Sequence, residues 1–137
     1  MEWSIRNSGG KVLVIASKIH PVGDFDFGLP SLNEPHRAYK TLNGFRVFYT
    51  GIVGGSFMEN LAKVSKGGSD RNYELLHAGR GVFTARVTPK ANINEDACQG
   101  KCVAKLLFEI GKRKPEWDEF IKIHDAWTNA LGEGILV

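Results

Sequence analysis

The chain has 137 residues, 42% of them hydrophobic, and its 18 Lys and Arg against 15 Asp and Glu leave a net charge of +3. That is enough chain for one well-filled core and too little for two. The mild basicity excludes a nucleic-acid-coating tail while permitting an anionic partner.

No apolar run reaches the ~18 residues that a membrane-spanning helix needs. The start, Met1-Glu2-Trp3-Ser4, lacks the basic and apolar regions of a secretion signal. Cys98 and Cys102 are the two cysteines, four positions apart. That spacing suits reduced thiols in the cytosol better than a structural disulfide. Together with His124 it matches no common zinc spacing, so neither a metal nor a cofactor is expected.

Residues 2–7 alternate, with Trp3 and Ile5 on one side and Glu2, Ser4 and Arg6 on the other, which predicts a strand with one wet face. After Ser8-Gly9-Gly10 the run Val12 to Ala16 is continuously apolar, as in a central strand covered on both faces. Residues 19–36 carry Pro21, Pro30 and Pro35, with Gly23 and Gly28, and predict a long loop with little regular structure. Phe25 and Phe27 within it either anchor the loop to the core or offer aromatic faces to a ligand.

Asn43-Gly44 signals a hairpin between residues 37–42 and 45–50, since both central positions of the favoured two-residue turn need positive φ. Phe45, Val47 and Tyr49 then alternate with Arg46 and Phe48. Gly51 to Glu59 reads as a glycine-rich loop entering a short helix over 57–66, with Ser56 and Glu59 as a capping box. Free N–H groups at a helix start, beside Gly54 and Gly55, suit an anion such as phosphate. The motif is neither a P-loop nor a dinucleotide fingerprint.

A second hairpin is expected over 73–78 and 82–88, with Gly79-Arg80-Gly81 at its tip. Phe83, Ala85 and Val87 would face the helices; Thr84, Arg86 and Thr88 would face solvent or a partner.

Residues 92–131 predict a pair of amphipathic helices joined by the basic turn Gly111-Lys112-Arg113-Lys114. The first would carry Cys102, Val103, Leu106, Leu107 and Ile110 on its apolar stripe. The second would start at Pro115 and bury Trp117, Phe120, Ile121, His124, Trp127 and Leu131, ending at Gly132. The expected fold is one α+β domain over 1–137. A mainly antiparallel, hairpin-built sheet in 1–90 would pack against the helical hairpin 92–131.

No Gly-x-Ser-x-Gly, His-Glu-x-x-His or Cys-x-x-Cys pattern is present. Catalysis has one candidate constellation, a hydrolase or nuclease using His20 with Asp24 or Asp26. Lys112, Arg113 and Lys114, with Lys101 and Lys105, are better explained as a wet helix end than as a nucleic-acid face. The expected function is therefore non-enzymatic: a cytosolic module that binds an anionic, nucleotide-like ligand. Gly54, Gly55 and Ser56 would hold its phosphates with Arg80 and Arg86, and Phe25 or Phe27 would cover a base. The alternative is a protein-interaction or inhibitor module, of the kind mobile elements encode as accessory proteins, acting through its sheet edge or its helices. Aromatic hairpins with few helices leave a face uncovered, so a homo-oligomer is expected.

Overall fold

The computed structural model of the chain describes residues 3–7, 13–26, 28–29, 31–41, 44–66, 79–86 and 104–132. The fold is α+β with antiparallel sheets. Strands β1 (Trp3–Asn7), β2 (Leu13–Ser17) and β6 (Phe83–Arg86) form one sheet, in the order β1-β2-β6. Strands β3 (Val22–Phe25), β5 (Phe45–Phe48), β4 (His36–Lys40) and β7 (Lys105–Ile110) form the other, in the order β3-β5-β4-β7. The described helical elements include α1 (Phe57–Lys66), a 3-10 turn over Pro115–Trp117 and α2 (Asp118–Gly132).

The uninterrupted apolar run does become a central strand. β2 lies between β1 and β6, and Val14, Ile15 and Ala16 are all buried. The hairpin β4–β5 is also where Asn43-Gly44 places it, closed by the Thr41 N–H donating to the Gly44 carbonyl at 2.9 Å. The reason for the glycine differs from the one expected. Gly44 does not have positive φ; a Cβ there would run into the carbonyl oxygen of Phe25 on the neighbouring chain segment. The glycine is required by close approach.

Three expectations are corrected. The loop 19–36 contains β3, which pairs with β5 from Val22↔Phe48 to Phe25↔Phe45. Gly23 admits the strand because a Cβ there would lie 2.7 Å from the Phe25 ring and 3.1 Å from Val64 of α1. Next, Gly79 and Arg80 have helical backbone and do not form a hairpin tip, and β6 pairs with β2. Residues 73–78, 87 and 88 of that expected hairpin lie outside the described residues. Thr84, expected to face solvent, is buried together with Phe83 and Ala85, because β6 is covered on both sides.

The third correction is the largest. Residues 105–110, expected as the end of a helix, are β7, paired antiparallel to β4. Ala38 pairs with Phe108 while Tyr39 pairs with Leu106, so Leu107 is the extra residue of a β-bulge. Leu106, Leu107 and Ile110 would satisfy a helical stripe, but on a bulged strand the same spacing is equally possible. The unpaired backbone of β4 and the pairing of Glu109 with Arg37 select the strand. The beginning of the expected helix, residues 92–103, lies outside the described residues.

A 3-10 turn over Pro115–Trp117 leads into α2, with Pro115 in its first turn as the sequence predicts. Trp117, Phe120, Ile121 and His124 are buried, and Thr128 continues that face. Trp127 is 37% exposed, so it is not part of the buried face expected for it. Phe48 meets Trp117, Phe120 and His124 with ring centroids 4.8–5.3 Å apart, which puts α2 on the side of the four-stranded sheet carrying Phe48. Val47 and Gly23 pair directly and point the other way, where Val64 of α1 waits. Each face of that sheet thus carries a helix.

Candidate functional site

Among the described residues, the densest cluster of charged and hydrogen-bonded side chains lies between β4, β5, β7 and α2. Arg37 and Tyr39 stand two apart on β4 and so share the face toward α2. Arg37 Nε donates to the Tyr39 hydroxyl at 2.6 Å, Nη1 donates to Glu109 Oε1 of β7 at 2.7 Å, and Nη2 to Asp125 Oδ2 of α2 at 2.5 Å. The Tyr39 hydroxyl in turn donates to Asp125 Oδ1 at 2.6 Å. Arg113, in the turn after β7, grips Glu109 from the other side, Nε to Oε2 at 2.9 Å and Nη2 to Oε1 at 2.8 Å. Its Nη1 also reaches Asp118 Oδ1 at 3.5 Å.

His124 continues the network inward. Its Nδ1 lies 2.9 Å from Asp125 Oδ1, and its Nε2 lies 2.8 Å from Arg46 Nη1 of β5, which also donates to the Arg86 carbonyl at 2.9 Å. Burial, with Arg46 and Arg37 adding to it against the hydrogen bond of Asp125, lowers the imidazole pKa to about 4. Burial alone would raise Asp125, yet the hydrogen bonds from His124 and Tyr39 and the charge of Arg37 hold it below its ordinary value. Burial and the Asp125 carboxylate push the Tyr39 phenol well up. For Arg37, burial opposes the charge, but the hydrogen bonds to Tyr39 and Glu109 and the field of Asp125 outweigh it and raise the pKa. Every charged group here has a partner of opposite sign or a hydrogen-bond acceptor. Such a site fastens a helix to a sheet.

His20 has a similar fate. It is 1% exposed, stacked on Phe120 at 5.0 Å and edge-on to Trp117 at 4.8 Å. Its Nε2–H donates to the Glu116 carbonyl at 3.0 Å, so Nδ1 accepts from the Ser17 hydroxyl at 2.6 Å. Asp26 is exposed, and Asp24 faces Arg46 across the β3–β5 ladder. His36 is buried with Nδ1–H on the Glu34 carbonyl at 2.9 Å, and His77 lies outside the described residues. Among the described residues, no group of three or more His, Cys, Asp or Glu side chains is arranged to hold a metal ion.

The glycine loop forms as a helix entrance. Gly54 and Gly55 both have φ of 80°; a Cβ at Gly54 would meet open space, and one at Gly55 would touch Asn60 Nδ2 at 3.9 Å. The Gly54 N–H donates to the Ile19 carbonyl at 3.0 Å, and its own carbonyl accepts from Asn60 Nδ2 at 2.8 Å. Ser56 caps α1, its hydroxyl accepting the Glu59 N–H at 3.3 Å. Phe57 meets Phe83 at 4.9 Å, so the turn that follows Arg80 stands beside the helix start. Arg80 is exposed.

The other expected ligand residues scatter. Arg86 ends β6, half-buried, where burial and the neighbouring Arg46 lower its pKa against the pull of Asp24. Phe25 is 2% exposed and belongs to the core, the anchoring role. Phe27 lies outside the described residues. Just before the glycine loop, the Thr50 hydroxyl is buried and has no hydrogen-bond partner among the described residues.

Three of the exposed large apolar side chains among the described residues lie on β7, the outermost described strand of its sheet. Leu106, Leu107 and Ile110 are 50%, 48% and 51% exposed. Sequence reading missed both this edge and the network beneath it. The available signal was Arg37-x-Tyr39, two polar groups on one face of a buried strand, and Asp125 directly after a histidine on an apolar helix face.

The chain matches no family model, no curated protein and no solved structure. Among the described residues no helix is long and apolar enough to cross a membrane.

Proposed function

We propose that the chain is a non-enzymatic cytosolic protein-interaction module, and that its contact is made by the outer side of β7, in the first place with a second copy of itself. The carrying observation is the cluster of Leu106, Leu107 and Ile110, each about half exposed on the outermost described strand of its sheet. Scattered single apolar residues need no explanation, whereas three exposed aliphatic side chains in the six residues of the outermost described strand do. The bulge at Leu107 interrupts the backbone ladder, which favours side-chain contact over addition of a partner strand. A two-fold axis beside β7 would bury the same leucines from both copies. The engaged ring nitrogens of His20 and His124 support the non-enzymatic part of the reading.

Light scattering at tens of micromolar tests it. A dimeric mass that becomes monomeric in Leu107→Lys and Ile110→Lys supports the reading. A monomeric wild-type mass removes self-association, and a dimer indifferent to both changes removes β7.

A second reading keeps the anionic ligand, with α1 as its holder. The observation that supports it is the Phe57–Phe83 contact at 4.9 Å, between the first residue of α1, three positions after Gly54, and the strand that begins three residues after the exposed Arg80. Titration with a nucleoside triphosphate, followed by calorimetry, decides it. Binding that is lost in Arg80→Ala and in Gly55→Leu supports the reading, and no heat at millimolar nucleotide ends it.

A further inference from the structure

His124 of α2 is fully buried between the sheet and its own helix. Its ring stands edge-on to Tyr39 of β4 at 4.7 Å and to Phe48 of β5 at 4.8 Å. A guanidinium offers no lone pair and a carboxylate no proton, so the contacts of His124 each have one direction. Nδ1–H donates to Asp125, and Nε2 accepts from Arg46. In this arrangement the imidazole is neutral and has no vacant place for a second proton.

The charges around it come from every element packed there. β4 supplies Arg37 and the phenol of Tyr39, and β5 supplies Arg46. α2 supplies Asp125, whose two oxygens are already shared with Arg37 and Tyr39. Glu109 of β7 holds Arg37 from the far side. From β6 comes Arg86, whose carbonyl takes the Nη1 of Arg46 and whose own guanidinium lies in the field of Asp24 on β3. A proton on Nε2 would therefore meet two cations and one carboxylate that is already occupied.

We propose that His124 is an acid-sensitive latch on α2. Protonation of Nε2 sets donor against donor and imidazolium against guanidinium at Arg46, and α2 lifts from the face of the four-stranded sheet while the β3-β5-β4-β7 ladder stays paired. The geometry explains why the helix and not the ladder yields. Arg46 and Arg37 are rooted in paired strands, whereas His124 and Asp125 ride together on one helix. The working window runs from the ordinary histidine value of 6.5 down to about 4, where burial and the arginines place this one. Across it, opening of α2 becomes about tenfold easier for each pH unit of acidification.

The test combines NMR of the ring nitrogens in the intact chain with amide hydrogen exchange from about pH 7 to about pH 4, corrected for intrinsic rates. The latch requires three results. His124 carries its proton on Nδ1 at neutral pH and titrates well below an ordinary histidine. α2 amides lose protection across the window while β4 and β5 amides keep theirs. In His124→Gln, which has a donor and an acceptor but takes up no proton, that pH dependence is lost. Titration of His124 at the ordinary value overturns the proposal, as does simultaneous loss of protection in helix and sheet, or unchanged pH dependence in His124→Gln. Should the variant fail to fold, the two wild-type readouts decide.

Discussion

Arg37 and Asp125 meet at 2.5 Å across 88 residues of sequence, tying the middle of β4 to the middle of α2. The side chains are 10% and 24% exposed, so the pair is largely out of water. Truncating one partner of such a pair leaves the other charge buried and uncompensated. Asp125→Ala removes the acceptor of Arg37, Tyr39 and His124 together and should cost about 3 kcal/mol, at the lower end for a buried pair because of the residual exposure. Asp125→Asn keeps the shape and should cost less. Urea denaturation checks both, and a loss under about 1 kcal/mol for the alanine variant would mean that the network contributes little.

The same cluster predicts how stability responds to pH. His124 has a folded-state pKa of about 4 against an ordinary 6.5, so the folded form binds fewer protons in between. Its contribution is fully present above the ordinary value and is lost as pH falls through the window, by at most about 3 kcal/mol. Asp125, whose pKa is depressed, adds a further loss below the ordinary carboxylate value of 3.8. Tyr39 is raised, so its share is fully present below 10.0 and is lost as pH rises beyond that. A stability profile by urea midpoint should therefore be level near neutrality and fall on both sides. His124→Gln should flatten the acid side between about pH 6.5 and 4.

Gly111 closes β7 with φ of 77°, and a Cβ there would lie 2.9 Å from the Pro35 ring. Gly111→Ala meets both backbone strain and a rigid neighbour, and should cost about 2 kcal/mol or more. Gly54→Ala has similar φ with open space around it, so about 1 kcal/mol is expected there. The difference between the two variants, read from thermal melting, measures the contact with Pro35. Equal costs would refute that division.

Ser56→Ala removes the cap of α1 and should cost about 1 kcal/mol, with Ser56→Asp restoring most of it. Exchange of the first-turn amides of α1 should quicken while those of α2 do not change. An effect that spreads to α2 would show that the cap does more than hold its own helix.

On β7, Leu107→Lys and Ile110→Lys place charge on side chains already half in water. Their folding stability should stay within about 0.5 kcal/mol of wild type. A larger loss would mean that these side chains hold the fold, and the interaction reading would lose its footing.

What could be read from the chain itself was local. Ser56 with Glu59 marked the start of α1, Pro115 marked the entry to α2, Asn43-Gly44 marked the β4–β5 turn, and the apolar run through Ile15 marked a strand covered on both faces. Each signal lies within a few residues, because caps, turns and strand burial are decided by neighbouring atoms. The tertiary structure decided the rest. Residues 105–110 are a strand because β4 presents an unpaired edge and Arg37 a partner for Glu109, neither of which local periodicity contains. Val22 to Phe25 is a strand because β5 stands beside it, despite prolines on either side. The network joining Arg37, Tyr39, Asp125, His124 and Arg46 links the β4–β5 hairpin to a helix some eighty residues later, and only folding brings its charges to hydrogen-bonding distance.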